Sequence, residues 1–190
     1  MRNQKEAKKI IKNDLGEETF NSFINISEQI AAASVAQVHK AQINDDGTIK
    51  DIAIKILRPN IKKIFNEEID ALMLLAYFIE NSIKKTKRLK LVEVVFLLKE
   101  ITNHEMDLRL EAAAANEFSE NTKNDLGFHV PKIYWNYTSE SVLTLDWVEG
   151  ISIKEKDILK KNNINTEKLA TDIIQHFLRH SVRDGFFHAD

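Results

Sequence analysis

At 190 residues the chain has room for one domain or a modest two-lobed one, and 43% hydrophobic content is enough to bury a real core. Twenty-seven Lys plus Arg against 29 Asp plus Glu leave a net charge of −2, without the basic excess of phosphate-tracking proteins, which argues against nucleic acid as a main partner. The absence of cysteine excludes disulfides, thiol nucleophiles and Cys-ligated zinc. The longest apolar runs, Leu72 to Ile79 and Val94 to Leu98, fall far short of the roughly 20 residues that span a bilayer.

Only five Gly and two Pro punctuate the chain, which favours long helices with a few short strands. Residues 1–13 are basic but lack the apolar core of a secretory signal. Residues 4–23 read as two short amphipathic helices broken at Gly16, with Leu15, Phe20 and Phe23 as apolar contacts. A three-stranded meander follows. Its strands are Ile24 to Ile30, Val35 to Ile43 and Ile52 to Leu57, with a small-residue stretch at Ala31 to Ser34 and a turn at Asn44-Asp45-Asp46-Gly47.

Pro59 is expected to open a helix, with Ile61, Phe65, Ile69, Leu72, Ala76 and Ile79 at helical spacing. A basic linker, Lys84 to Lys90, ends it. The segment from Val92 to Asn121 reads as one long helix, striped by Val94, Leu97, Leu98, Ile101, Leu108, Ala112, Ala115 and Phe118. After Pro131, Lys132 to Tyr137 and Val142 to Trp147 read as a second hairpin, ended by Gly150. A short helix near Lys154 to Leu159, a longer one from Thr166 to Asp184 and an extended apolar end, Gly185-Phe186-Phe187-His188-Ala189-Asp190, complete the chain.

Strands, helices, two more strands and then helices is the order of a protein-kinase N-lobe and the start of its C-lobe. Lys55, in Ile52-Ala53-Ile54-Lys55-Ile56, shares a strand face with Ala53 that reads as small and interior. A kinase places such a lysine on the α and β phosphates of ATP, and a strand lysine facing water is the plainer alternative. Between Ile30 and Val38, small side chains (Ala31, Ala32, Ala33, Ser34, Ala36, with Val35 and Gln37) would let backbone N–H groups approach a phosphate, work usually given to Gly. A tightly packed turn would look the same.

Glu105, Asp107 and Glu111 form an acidic cluster on the long helix. Glu105 falls on the apolar stripe and Glu111 at its edge, and an inward carboxylate needs a cation. Lys55 is that cation, with Glu111 the favoured partner; an exposed Glu105–Arg109 pair is the alternative. Leu145 to Gly150 suits a linker to adenine, or an ordinary strand end. His188-Ala189-Asp190 is similar to the H-R-D of a catalytic loop, whose Asp accepts the substrate's hydroxyl proton. With Ala189 in place of Arg, activation by phosphorylation of an activation loop is not expected. His176 and His180 at i,i+4, with His188, offer a weak metal alternative that lacks H-E-x-x-H.

Five blocks in order resemble the UbiB family of atypical protein-kinase-like proteins, relatives of the aarF-domain kinases, from Leu15 to Asp190. They are Ala31 to His39, Ile54-Lys55-Ile56-Leu57-Arg58-Pro59, Glu105 to Ala112 with an E-x-D signature, Val130-Pro131-Lys132-Ile133-Tyr134, and Phe186 to Asp190. The resemblance implies an α+β, protein-kinase-like fold. That fold would have a five-stranded N-lobe sheet with inserted long helices over 24–150, an N-terminal helical segment over 1–23, and a partial C-lobe over 151–190. It also implies ATP with Mg2+ bound at Ile30 to Val38 and Lys55, Asp190 as proton acceptor, and a role in ubiquinone biosynthesis through kinase or ATPase activity at the membrane.

The family's K-x-G-Q motif upstream is missing, as are the downstream Asn, the metal-binding D-F-G-type Asp and the C-terminal transmembrane helices. The expectation is therefore a truncated or split segment, not catalytic alone. It would be cytoplasmic and peripheral at the inner membrane only through missing segments or partners such as ubiquinone-biosynthesis proteins. The alternatives are a non-catalytic module, docking on a complementary C-terminal fragment through an unpaired apolar end at Phe186 and Phe187, and a degenerate remnant.

Overall fold

The computed structural model describes residues 2–187. The chain packs as two compact units: residues 1–113 with 133–146, and residues 114–132 with 147–190.

The first unit is built on a four-stranded antiparallel sheet in the order β1-β2-β3-β4, comprising β1 (Gln29–Ala32), β2 (Ala36–Asp45), β3 (Thr48–Leu57) and β4 (Val142–Asp146). Strict alternation on β3 sends Ile52, Ile54 and Ile56 to the core face, where each is fully buried beside Ala41, Ile43 and Val142. The β2–β3 connection is the expected turn. Asp46 and Gly47 both take positive φ (51° and 84°), as a two-residue hairpin of matching twist requires, and Asn44 Oδ1 accepts from the Gly47 N–H at 2.8 Å. Helices α1 (Arg2–Leu15) and α2 (Glu17–Ser22) break at Gly16 as expected, and α1 closes the core: Ala7 and Ile11 are completely buried in it.

Several expectations are corrected. The sheet has four strands, not five. Ile133 makes a single bridge to Leu145, and Trp135–Tyr137 then turns as one 3₁₀ turn. The reason is side-chain capture of the backbone: the Thr144 hydroxyl donates to Tyr137 O (2.7 Å) and the Thr138 hydroxyl to Tyr134 O (3.0 Å). Ile24 is likewise outside β1, bridged only to Gln42. Pro59 does not open the next helix; Asn60 intervenes in the left-handed region (φ 59°), and α3 runs Ile61–Ser82.

The single long helix is two, α4 (Leu91–Glu105) and α5 (Leu108–Thr122), preceded by a 3₁₀ turn at Lys84–Leu89. The break follows from capture of both ends: Asp107 N–H closes onto His104 O (3.1 Å) while Leu108 N–H donates to Glu140 O (2.9 Å), outside any helix.

The second unit contains α6 (Lys156–Lys161), α7 (Thr166–Arg179) and the end of α5. Asn165 caps α7, its side chain accepting from Glu167 and Lys168 N–H groups. The helix expected to reach Asp184 ends at Arg179 and loosens into a wider π turn over His180–Asp184 before Gly185 at φ 64°. Phe186, expected as an unpaired apolar end, packs on Phe118 at 5.8 Å between ring centroids, and Phe187 meets the Phe177 ring edge-on at 5.1 Å.

Candidate functional site

The register of the sheet aligns four residues in one row: Ala31 on β1 faces Val38, Val38 faces Lys55, and Lys55 faces Leu143. This row lies on the face opposite Ile52, Ile54 and Ile56. Ala53 and Lys55 are partly buried there, and Leu143 at the end of the row is fully buried, so this face is only partly open. The isoleucines claim the core because they gain more from leaving water.

Onto this open face α5 brings Glu111. Lys55 Nζ donates to both Glu111 oxygens, at 2.8 and 2.7 Å, with the two side chains 27% and 46% exposed. Such a half-solvated pair contributes little to stability. Its consequence is positional: the carboxylate holds the ammonium at one place on the open face.

The segment Ile30 to Val38 is not a loop between strands. Ile30, Ala31 and Ala32 lie on edge strand β1, with a bulge between Gln29 and Ala31; Ala33, Ser34 and Val35 form the turn; and Ala36, Gln37 and Val38 open β2. Ile30 to Ser34 are exposed, whereas Ala36 and Gln37 are buried. The turn is fastened from outside by Arg58, whose Nη2 donates to Ala33 O at 2.9 Å and whose N–H donates to Val35 O at 2.9 Å. Arg58 sits in the block Leu57-Arg58-Pro59, so the signal was present in the sequence, but its role as a clamp was not.

Glu105 is not inward-facing. It is exposed at the last turn of α4. The Glu105–Arg109 alternative fails too, because Arg109 pairs with Asp107 through Nε (2.9 Å) and Nη2 (2.7 Å). Asp107 also accepts from the Arg109 N–H (3.1 Å), which caps α5, and the Arg109 guanidinium holds its carboxyl below the usual range. His188, Ala189 and Asp190 lie outside the described residues.

A second polar cluster, unforeseen from sequence, sits in the second unit. The nearly buried Asp125 accepts from Arg183 Nη1 (2.8 Å) and Nη2 (2.9 Å) and contacts His180 Nε2 at 3.0 Å. Arg183 therefore holds the Asp125 carboxyl well below its ordinary value, and His180 adds to this against the cost of burial. His180 itself is buried among Phe118 and Phe128 rings, at 5.1 and 4.7 Å. The metal alternative's third histidine, His188, lies outside the described residues. Among the described residues no group of three His, Asp or Glu side chains converges to hold a metal.

Comparison with known proteins gives the family. The model of the ABC1 atypical kinase-like domain matches residues 1–190. The chain is 35% identical over 186 residues to the probable protein kinase UbiB of Marinobacter nauticus, covering 97% of this chain and 34% of that protein. It is 35% identical over 188 residues to that of Cellvibrio japonicus, covering 97% and 33%. With that of Actinobacillus pleuropneumoniae the identity is 33% over 189 residues, covering 98% and 35%. The chain thus spans about a third of the length of these relatives.

Proposed function

Because the chain belongs to the ABC1 atypical kinase-like family of UbiB-type proteins, we propose that its first unit binds ATP on the open face of the sheet. In this reading Lys55 meets the α and β phosphates, Glu111 holds the ammonium in place, and the turn Ala33-Ser34-Val35, fastened by Arg58, lies over the phosphates. The observation that carries it is the Lys55–Glu111 pair on a face left open by the core, beside a stretch of small side chains. Ala31, Val38 and Ala53 would pave the floor without obstructing a nucleotide. Asp107 keeps α5 capped and so fixes where Glu111 stands.

Asp190 would accept the proton of a substrate hydroxyl, as in kinase catalytic loops. The described residues supply no cluster for Mg2+, so no metal-dependent step is assigned to them. The kinase or ATPase activity and the link to ubiquinone biosynthesis belong to this reading by family resemblance.

Calorimetry with Mg-ATP on the chain and on Lys55→Ala tests it. Binding weakened about tenfold or more in Lys55→Ala, the loss expected for a charge-assisted contact, supports the site. Absence of binding in the unaltered chain overturns it.

A second reading, a non-catalytic module that docks on a complementary polypeptide, is favoured by the exposed row Ile173, Ile174, Phe177 and Leu178 on α7. Saturable binding to a complementary segment of a longer relative, abolished by Phe177→Glu and indifferent to ATP, would mark that reading.

A further inference from the structure

We propose that the cleft between α1 and the start of α3 is a binding site for a small anion bearing one phosphate group, separate from the nucleotide site. It lies wholly in the first unit. Two adjoining hollows, of about 460 and 340 Å³, share Glu6, Arg58, Pro59 and Asn60 as a common wall. Gln37 lines the smaller one. Its register partner is Ile56, so it stands on the core side of the sheet, opposite the side that carries Lys55. Gln37 is only 4% exposed, and its Nε2 has no hydrogen-bond partner. A buried amide donor left unpaired is costly, and an acceptor seated in this hollow would relieve it.

The start of α3 supplies further donors on the same wall. Asn60 precedes the helix in the left-handed region (φ 59°), and its side chain makes no cap bond. The Ile61 N–H turns back to Arg58 O (3.2 Å), and the Ile64 N–H donates to Asn60 O (3.0 Å). Between them the N–H groups of Lys62 and Lys63 have no acceptor among the described residues, at the positive end of a 22-residue helix. Such a helix start receives anions readily when cations stand beside it. Arg58 spends Nη2 on Ala33 O, and neither it nor the exposed Lys9 on α1 has a carboxylate partner among the described residues. Lys62 is held by Glu140, and Asp14 accepts from the Ser139 hydroxyl at 3.2 Å. Glu6 offsets one of the two uncommitted cations, which suits a single phosphate group better than a di- or triphosphate. The donors come from α1, β2 and the β3–α3 junction. That spread suits a tetrahedral oxyanion, with acceptors on every side, better than a planar carboxylate.

Amide NMR of the isotope-labelled full chain, titrated with inorganic phosphate at an ionic strength fixed with sodium chloride, tests the proposal. Saturable shifts are expected in the backbone amides of Lys62 and Lys63 and in the side-chain amide of Gln37. Asn60→Asp sets a carboxylate against the anion and should weaken binding about tenfold, as should Lys9→Ser, the loss of one charge-assisted contact. Gln37→Met, of similar volume, should weaken it about threefold or more. Lys161→Ser, which removes an exposed cation from the second unit, should change nothing. Circular dichroism separates lost binding from lost folding, and if Gln37→Met does not fold, the variants at exposed Lys9 and Asn60 decide. Absence of saturable shifts, or equal affinity in all variants, overturns the proposal. Shifts confined to Lys55 and Ala33-Ser34-Val35 overturn it as well, since they would put the phosphate on the nucleotide face. No nucleotide enters the titration, so its outcome is independent of the ATP reading.

Discussion

Lys55 and Ile54 are adjacent residues with opposite tasks, and alternation along one strand separates them. Ile54 is fully buried beside Ile52 and Ile56, and Ile54→Ala should cost about 2–5 kcal/mol, the range for a buried large-to-small change, read from urea denaturation. Glu111→Gln should instead leave stability nearly unchanged, because the pair is half-exposed, while weakening Mg-ATP binding; a change in melting temperature with unaltered binding would remove Glu111 from the proposed site. Tyr134 is a third case. Its hydroxyl donates to Asp146 Oδ1 at 2.7 Å, and burial, then that carboxylate, pushes its ionisation above the ordinary phenol value. The lysine and its glutamate were legible as a strand cation and a helix carboxylate in need of each other, but the face of β3 on which they meet was not. Tyr134 was not, since its partner is set by a turn that the sequence pattern presents as a strand.

At the scale of elements, the instructive error is the helix expected from Val92 to Asn121. Its apolar stripe continues through Met106 and Leu108, both buried, so periodicity alone registers no break. The break depends on Asp107 capping α5 and on Leu108 N–H donating to Glu140 O, a residue 32 positions away. Asp107→Ala should therefore destabilise the first unit by about 1 kcal/mol, the usual cost of a lost N-cap, measurable as a lower urea midpoint. Because α5 carries Glu111, nucleotide binding should weaken with it. Strand β4 gives the converse lesson: the strand expected over Val142 to Trp147 forms, one residue shorter, as Val142–Asp146, while its expected partner is lost to the hydroxyls of Thr138 and Thr144.

For the molecule as a whole, each unit has a core of its own kind. The first buries aliphatic side chains between α1 and the sheet. The second gathers aromatic rings around an ionised cluster at Asp125. With its folded value depressed, the Asp125 carboxyl contributes stability that is present above its unfolded value of about 4 and is lost as pH falls below that toward the folded value. Asp125→Asn should lower the denaturation midpoint at neutral pH and flatten its decline between about pH 4 and pH 2, with a residual slope from Asp107 and Asp184, which are depressed by Arg109 and Arg183. An unchanged acid limb would show that the cluster contributes nothing.

The sequence by itself determined the α+β class, the meander with its Asp46-Gly47 turn, the break at Gly16, the strand that carries Lys55 and the family to which the blocks belong. Each of these depends on local periodicity, turn chemistry or short motifs. Only tertiary structure decided which face of β3 is core, where the long helix breaks, that the sheet stops at four strands, and that Asp125, His180 and Arg183 meet across 55 to 58 residues. Those outcomes turn on competition for buried space and for hydrogen-bond partners distant in the chain, and a linear pattern carries no record of that competition.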